Sequence, residues 1–198
     1  MSFAPTRSEL GVAAFTVSYI VVFTAWFLSI GNYEFIIYVI TMVALVLLIG
    51  LSLRKAEYPP AMLWALSLWG LAHMAGGGLP VNGTVLYNLA LAPVIETDQF
   101  VILKYDQLVH AYGFGVTAWV LHHLLTRHFP QTRNTATALI LPALAAMGLG
   151  AVNEMIEFAA VIAVPDTNVG GYYNTLLDLC FNAVGALIAM LIIRRNRL

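Results

Sequence analysis

Six apolar stretches, each bounded by polar or turn-forming residues, run along the chain at about residues 11–30, 34–53, 61–76, 105–125, 135–163 and 171–193. A helix needs about 20 mostly apolar residues, range about 17–25, to cross the hydrocarbon core of a bilayer. The third stretch is the shortest and closes on Gly76, Gly77 and Gly78. Arg7 precedes the first, as a basic residue precedes a signal peptide, but the apolar run exceeds the about 7–15 residues of a cleaved signal core and reads as a retained span. Over its 198 residues the chain is 61% hydrophobic and 10% charged, where a soluble domain is about 45–50% apolar and about 25% charged. A water-soluble fold would expose too much apolar surface, and disorder needs far less hydrophobicity. The expected fold is therefore all-α: a polytopic transmembrane helical bundle of about six spans, forming a single integral membrane domain over residues 1–198.

Basic residues orient such a bundle, because Lys and Arg in short loops are retained on the cytoplasmic side. Arg7, Arg54, Lys55, Arg127, Arg133, Arg194, Arg195 and Arg197 fall on one side of a six-span arrangement and Lys104 on the other. Both termini are thus expected in the cytoplasm, and removing any one span would separate Arg7 from the C-terminal arginines. Lys+Arg 9 against Asp+Glu 10 leaves a net charge of -1, so no basic footprint for nucleic acid exists. Cys180 is the single cysteine, which excludes an intrachain disulfide and a thiolate metal cluster.

The connection between the third and fourth stretches, residues 77–104, is long and falls on the outer side. It holds an Asn82-Gly83 turn signal and apolar pieces near residues 85–91 and 100–103, separated by Pro93, Glu96 and Asp98. Two short extended pieces or a re-entrant turn fit it, and loops of this length are more often functional than idle.

The first two spans carry no ionisable group in their apolar interiors. The other four carry His73, Asp106, His110, Asn153, Glu154, Glu157, Asp178 and Asn182. Ionisable groups inside a membrane are costly, which makes them functional candidates. At about 1.5 Å of rise per residue all of them belong to the outer half of the bundle. Residues three and four apart share a helix side. On that spacing Asp106, His110, Gly113 and Thr117 align, as do Ala146, Gly150, Glu154 and Glu157, Thr175, Asp178, Asn182 and Gly185, and Gly70, His73 and Gly77. Polar residues that share a face with small ones point to closely packed helices, so these stripes are expected to face one another.

Several carboxylates and histidines in low dielectric need protons, a cation or a cationic ligand. A divalent metal is the sharpest reading, with His73, Asp106, His110 and Asp178 as ligands. Nitrogen and oxygen donors without sulfur suit zinc, manganese or iron, and such an ion can act as a Lewis acid for hydrolysis. Glu154 or Glu157 would then serve as general base, with Asn153, Asn182 and Tyr105 orienting substrate or ligands. The same groups permit two other readings: a proton- or cation-coupled transporter, or a non-catalytic scaffold whose Asp178 and Asn182 join helices by hydrogen bonds. His122, His123 and His128, near the inner end, read as interfacial.

Taken in order, several pieces form a pattern: His73-Met-Ala-Gly-Gly, Val85-Leu-Tyr, Tyr105-Asp-Gln-Leu-Val-His110, Asn153-Glu-Met-Ile-Glu157 and Asn174-Thr-Leu-Leu-Asp178-Leu-Cys-Phe-Asn182-Ala-Val-Gly185-Ala. This pattern, over about residues 70–190, resembles the YjdF-like family of bacterial inner-membrane proteins and, more distantly, the VanZ-like family. The latter has Glu then Gln where this chain has Glu154 and Glu157, and a basic residue ahead of the last acidic motif, where residues 166–173 hold none. The resemblance implies a multi-pass protein of the bacterial inner membrane whose shared polar residues are those of the stripes above; a lipid or lipid-linked envelope substrate, with membrane lipids as partners, is the expectation from the His/Asp/Glu set if the protein is an enzyme. The resemblance implies no particular reaction.

Overall fold

The computed structural model describes residues 5–164 and 170–196. Six helices dominate it: α1 (Arg7–Ser29), α2 (Tyr33–Ala56), α3 (Pro60–Gly78), α4 (Tyr105–His128), α5 (Thr137–Ala163) and α6 (Tyr172–Arg195). Each matches one apolar stretch; α1 to α4 and α6 extend beyond theirs at one end or both, whereas α5 begins two residues inside its own. Thr6 starts α1 ahead of the apolar run by a capping box, its side chain accepting from Glu9 N while Glu9 accepts from Thr6 N. By length and composition α1, α2, α5 and α6 suffice to cross a membrane. In α3 the tryptophans, His73 and glycines dilute the apolar run, and in α4 Asp106, Gln107 and the histidines do so.

The chain separates into two compact units, Met1–Leu79 and Pro80–Leu198. In the first, α1 packs on both α2 and α3. Phe27, Phe35, Met62 and Met74 are its largest fully buried side chains. Thr16 and Ser67 share a buried hydroxyl bond of 2.6 Å, and Trp26 Nε1 donates to Gly78 O at 2.8 Å, joining the ends of α1 and α3.

The second unit departs from the all-α expectation, because the 77–104 connection folds into two antiparallel pairs. β1 (Pro80–Val81) and β2 (Thr84–Val85) flank a two-residue turn in which Asn82 and Gly83 both have positive φ, 51° and 81°. That is the geometry the Asn-Gly pair favours. After a 3-10 turn at Leu86–Asn88, β3 (Ala90–Glu96) pairs with β4 (Val101–Lys104), with an irregularity between Ala90 and Ile95. β4 runs directly into α4. The corner is made by Leu103, whose φ is 77°, and is pinned by buried Gln107. Gln107 Oε1 accepts from Leu103 N (2.6 Å) and Lys104 N (3.2 Å) while its Nε2 donates to Val101 O (3.0 Å).

α4, α5 and α6 form a three-helix bundle with α4 and α6 most closely apposed. Glycine permits this approach: a Cβ on Gly185 would collide with the backbone oxygen of Ala111, and one on Gly115 would meet Gly185 O at 3.1 Å. The bundle is polar inside and apolar outside. Gln107, Asp178 and Asn182 are 0% exposed, whereas Met155, Phe158, Ile162, Leu187 and Leu191 face outward, as does Leu51 of α2 at 85%. Only an apolar solvent makes this distribution favourable, since apolar side chains on the surface then cost nothing and polar backbone and side chains must find partners inside.

Candidate metal centre

The α4–α6 seam brings together residues far apart in sequence. Asp106 and His110 share one face of α4 at i and i+4. His110 Nε2 lies 3.6 Å from Asp106 Oδ1. Across the seam, His110 Nδ1 is 3.0 Å from Asn182 Oδ1, and from α5 Glu154 Oε1 comes within 3.8 Å of the same nitrogen. Gly150 makes room for this meeting, because any Cβ there would meet the Asn182 side chain.

Asp178 lies one turn before Asn182 on α6. Asn174, one turn earlier still, covers both acids, its Nδ2 donating to Asp178 Oδ2 at 2.6 Å and Asp106 Oδ2 at 3.4 Å. Its Oδ1 accepts from Lys104 Nζ at 2.7 Å. On α5, Asn153 Nδ2 donates to Glu157 Oε1 at 2.8 Å. Tyr105 begins α4 with its N–H on Leu89 O (2.9 Å) and its ring 6.3 Å from that of Tyr87, so it anchors the helix to the preceding turn.

Two groups of these side chains can each converge on one ion: Asp106, His110 and Asp178, and His110, Glu154 and Glu157, with donor atoms within 4.8 Å of one another. His73 belongs to the other unit. Its ring stands 5.5 Å from that of Tyr38 and 6.2 Å from that of Phe35. The small-residue stripe it shares is filled from within that unit, Gly70 facing Tyr19 and Met42 and Gly77 facing Phe35.

The centre is electrostatically incomplete. Both Glu154 oxygens, Asp178 Oδ1 and Asn182 Nδ2 are buried without a hydrogen-bond partner among the described residues. A buried carboxylate oxygen left bare costs more than a neutral polar group, since the desolvation of charge is uncompensated. The histidine tells the same story. An amide oxygen only accepts, so His110 donates through Nδ1–H to Asn182, and its Nε2 faces Asp106. A proton or a cation between Nε2 and the Asp106 carboxyl group satisfies both. Ligands at about 2.1 Å from a tetrahedral ion stand about 3.4 Å apart along an edge. The 3.6 Å from Nε2 to Asp106 Oδ1 fits that edge and exceeds a good hydrogen bond. With an ion at Nε2, Asn182 would play the part that a hydrogen-bond acceptor plays behind most metal-ligating histidines, fixing tautomer and ring orientation.

Lys104 and Asn174 did not stand out from sequence as site residues. Their signals were present: Lys104 is the lone basic residue of the 77–104 connection, and Asn174 sits four residues before Asp178 on the same helix side. Beneath the centre, the bundle closes on Ala118, Ala143, Ala146, Ala186 and Met190, with Leu121, Leu139, Ala189 and Ile193 packed against them. Cys180 is exposed and takes no part.

Among known proteins, no curated sequence and no solved structure matches this chain. A family model does. The family described as "Predicted membrane protein (DUF2238)", which is the YjdF-like family, matches residues 11–197, and the chain is a membrane-embedded protein belonging to that family.

Proposed function

We propose that this protein is a six-span protein of the bacterial inner membrane, both termini cytoplasmic, whose outer-facing centre binds a divalent metal ion and acts on a lipid or lipid-linked envelope substrate. The orientation is supported by the basic residues at the helix ends. Arg54 and Lys55 close α2, Arg127 closes α4, and Arg194 and Arg195 close α6, while Arg7 opens α1. Arg197 lies outside the described residues.

The observation that carries the metal reading is the convergence of Asp106, His110 and Asp178 with ligand atoms within 4.8 Å of one another, beside an Asp178 oxygen with no hydrogen-bond partner among the described residues. Asp106, His110 Nε2 and Asp178 are the ligands in this reading, and His73 is not required. A divalent ion held there supplies Lewis-acid chemistry for hydrolysis or group transfer. Around it Asn182 holds the His110 ring, Asn174 orients the two aspartates, and Glu154 or Glu157 takes up a proton as general base. Asn153 steadies Glu157. The apolar plug of alanines below the centre favours an enzyme over a transporter, because transported ions need polar groups along the whole route.

Elemental analysis of detergent-purified protein after a weak-chelator wash tests this reading. The wild type is expected to hold close to one zinc, manganese or iron per chain, and Asp106→Asn, His110→Ala and Asp178→Asn to lose it with helicity intact. Metal absent from folded wild type, or unchanged in all three variants, would refute it.

A further inference from the structure

We propose that the cavity between the β3–β4 hairpin and the start of α6 binds a phosphate group, so that the substrate of the metal centre is a phosphate ester; this rests on the metal reading above. The cavity, about 220 Å³, is lined among others by Gln99, Phe100, Lys104, Gly171, Tyr173 and Asn174. Its cation is Lys104. The ammonium is half-buried, its hydrogen bond runs to the neutral Asn174 Oδ1, and among the described residues no carboxylate forms an ion pair with it. A compact ammonium with free donors in a partly desolvated wall is suited to a phosphate oxygen.

The same asparagine links the cavity to the metal centre. Asn174 receives Lys104 on its oxygen and gives its amide to Asp178 and Asp106, so cavity and aspartates are one side-chain amide apart. Charge then decides what can bind. The acidic side chains of the centre lie behind Asn174, and a divalent ion held among them adds positive charge next to the Lys104 ammonium, which favours an anion in the cavity. Phosphate and metal binding are thereby coupled, each favouring the other. Phe100 and Tyr173, with ring centroids 5.5 Å apart, give the cavity an apolar wall, and exposed Tyr172 extends it outward. Such a wall favours a phosphate that carries a hydrocarbon substituent, and the two available sources are a lipid headgroup and free phosphate.

Calorimetric titration of the full-length protein in detergent, with its metal content measured on the same sample, tests this with hexyl phosphate, inorganic phosphate and hexanol. Metal-loaded wild type is expected to bind hexyl phosphate and not hexanol. Lys104→Gln should weaken hexyl phosphate at least tenfold with metal content unchanged, and Lys104→Arg should restore most of the affinity, which separates loss of charge from loss of fold. Hexyl phosphate binding tenfold or more tighter than inorganic phosphate identifies a lipid headgroup; equal affinities identify free phosphate. Metal-loaded protein that binds neither phosphate, or a Lys104→Gln variant that binds as wild type does, overturns the proposal and leaves the metal reading standing. Folded protein without metal overturns the metal reading itself.

Discussion

Gly185 is the point at which a single methyl group tests the α4–α6 seam. A Cβ at this position meets the carbonyl oxygen, carbonyl carbon and Cα of Ala111, all backbone atoms that no rotamer change can move aside. The helices must separate, and they do so one residue from His110 and three from Asn182. Overpacking of this kind costs about 1–3 kcal/mol. For a chain of this size that corresponds to a fall in melting temperature of roughly 2–12 °C. The 3.0 Å bond between His110 Nδ1 and Asn182 Oδ1 spans the same seam, so metal occupancy should fall as well. Gly148, on α5, is the internal control: a Cβ there meets nothing within 4 Å. Gly148→Ala should therefore be neutral or gain about 0.5–1 kcal/mol from reduced backbone entropy in the unfolded state. The assay is thermal unfolding of the two variants in the same detergent, followed by circular dichroism, with metal measured on each. Gly185→Ala melting with Gly148→Ala and retaining its metal would refute the reasoning.

Two further outcomes follow from the hydrogen bonds. Asn182→Ala removes the acceptor that sets the His110 tautomer, so metal affinity should drop about 10–100-fold in a competition titration, as is usual for a partner behind a metal ligand; an unchanged affinity would remove Asn182 from the centre. Gln107→Ala leaves the Leu103 and Lys104 amides and the Val101 carbonyl without their partner, at about 1–3 kcal/mol for each group that stays buried. Hydrogen exchange should rise in β4 and the first turn of α4, and exchange that stays at wild-type rates there would show that the corner holds without Gln107.

Hydrophobic runs alone located all six helices, four of which are long and apolar enough to cross a membrane. Helix ends were less visible, since Thr6 and Glu9 define the start of α1 by capping and contribute nothing to hydropathy. The pairing of Asp106 with His110 and of Asp178 with Asn182 was legible from helical spacing, and their meeting across the seam from the glycines beside them. Spacing carried no information on partners, so it did not reveal that Gly70 meets Tyr19 and Met42 and that Gly77 meets Phe35. The β3–β4 pair was harder to see. Its strand register depends on cross-strand contacts, and the apolar pieces around it suit an extended strand and a re-entrant turn equally. Asn82-Gly83 was the exception, because its positive φ angles are a local demand that local residues meet.

The junction of β4 with α4 has a mechanical meaning. No linker separates the strand from the helix, the corner at Leu103 is clamped by Gln107, and Lys104 and Asp106 lie on either side of Tyr105. A hairpin tethered through a loop would swing without disturbing the helix that follows. Here β4 continues into α4 through a corner held by Gln107, so a change in the hairpin's angle has no slack to absorb it before the first turn that bears Asp106.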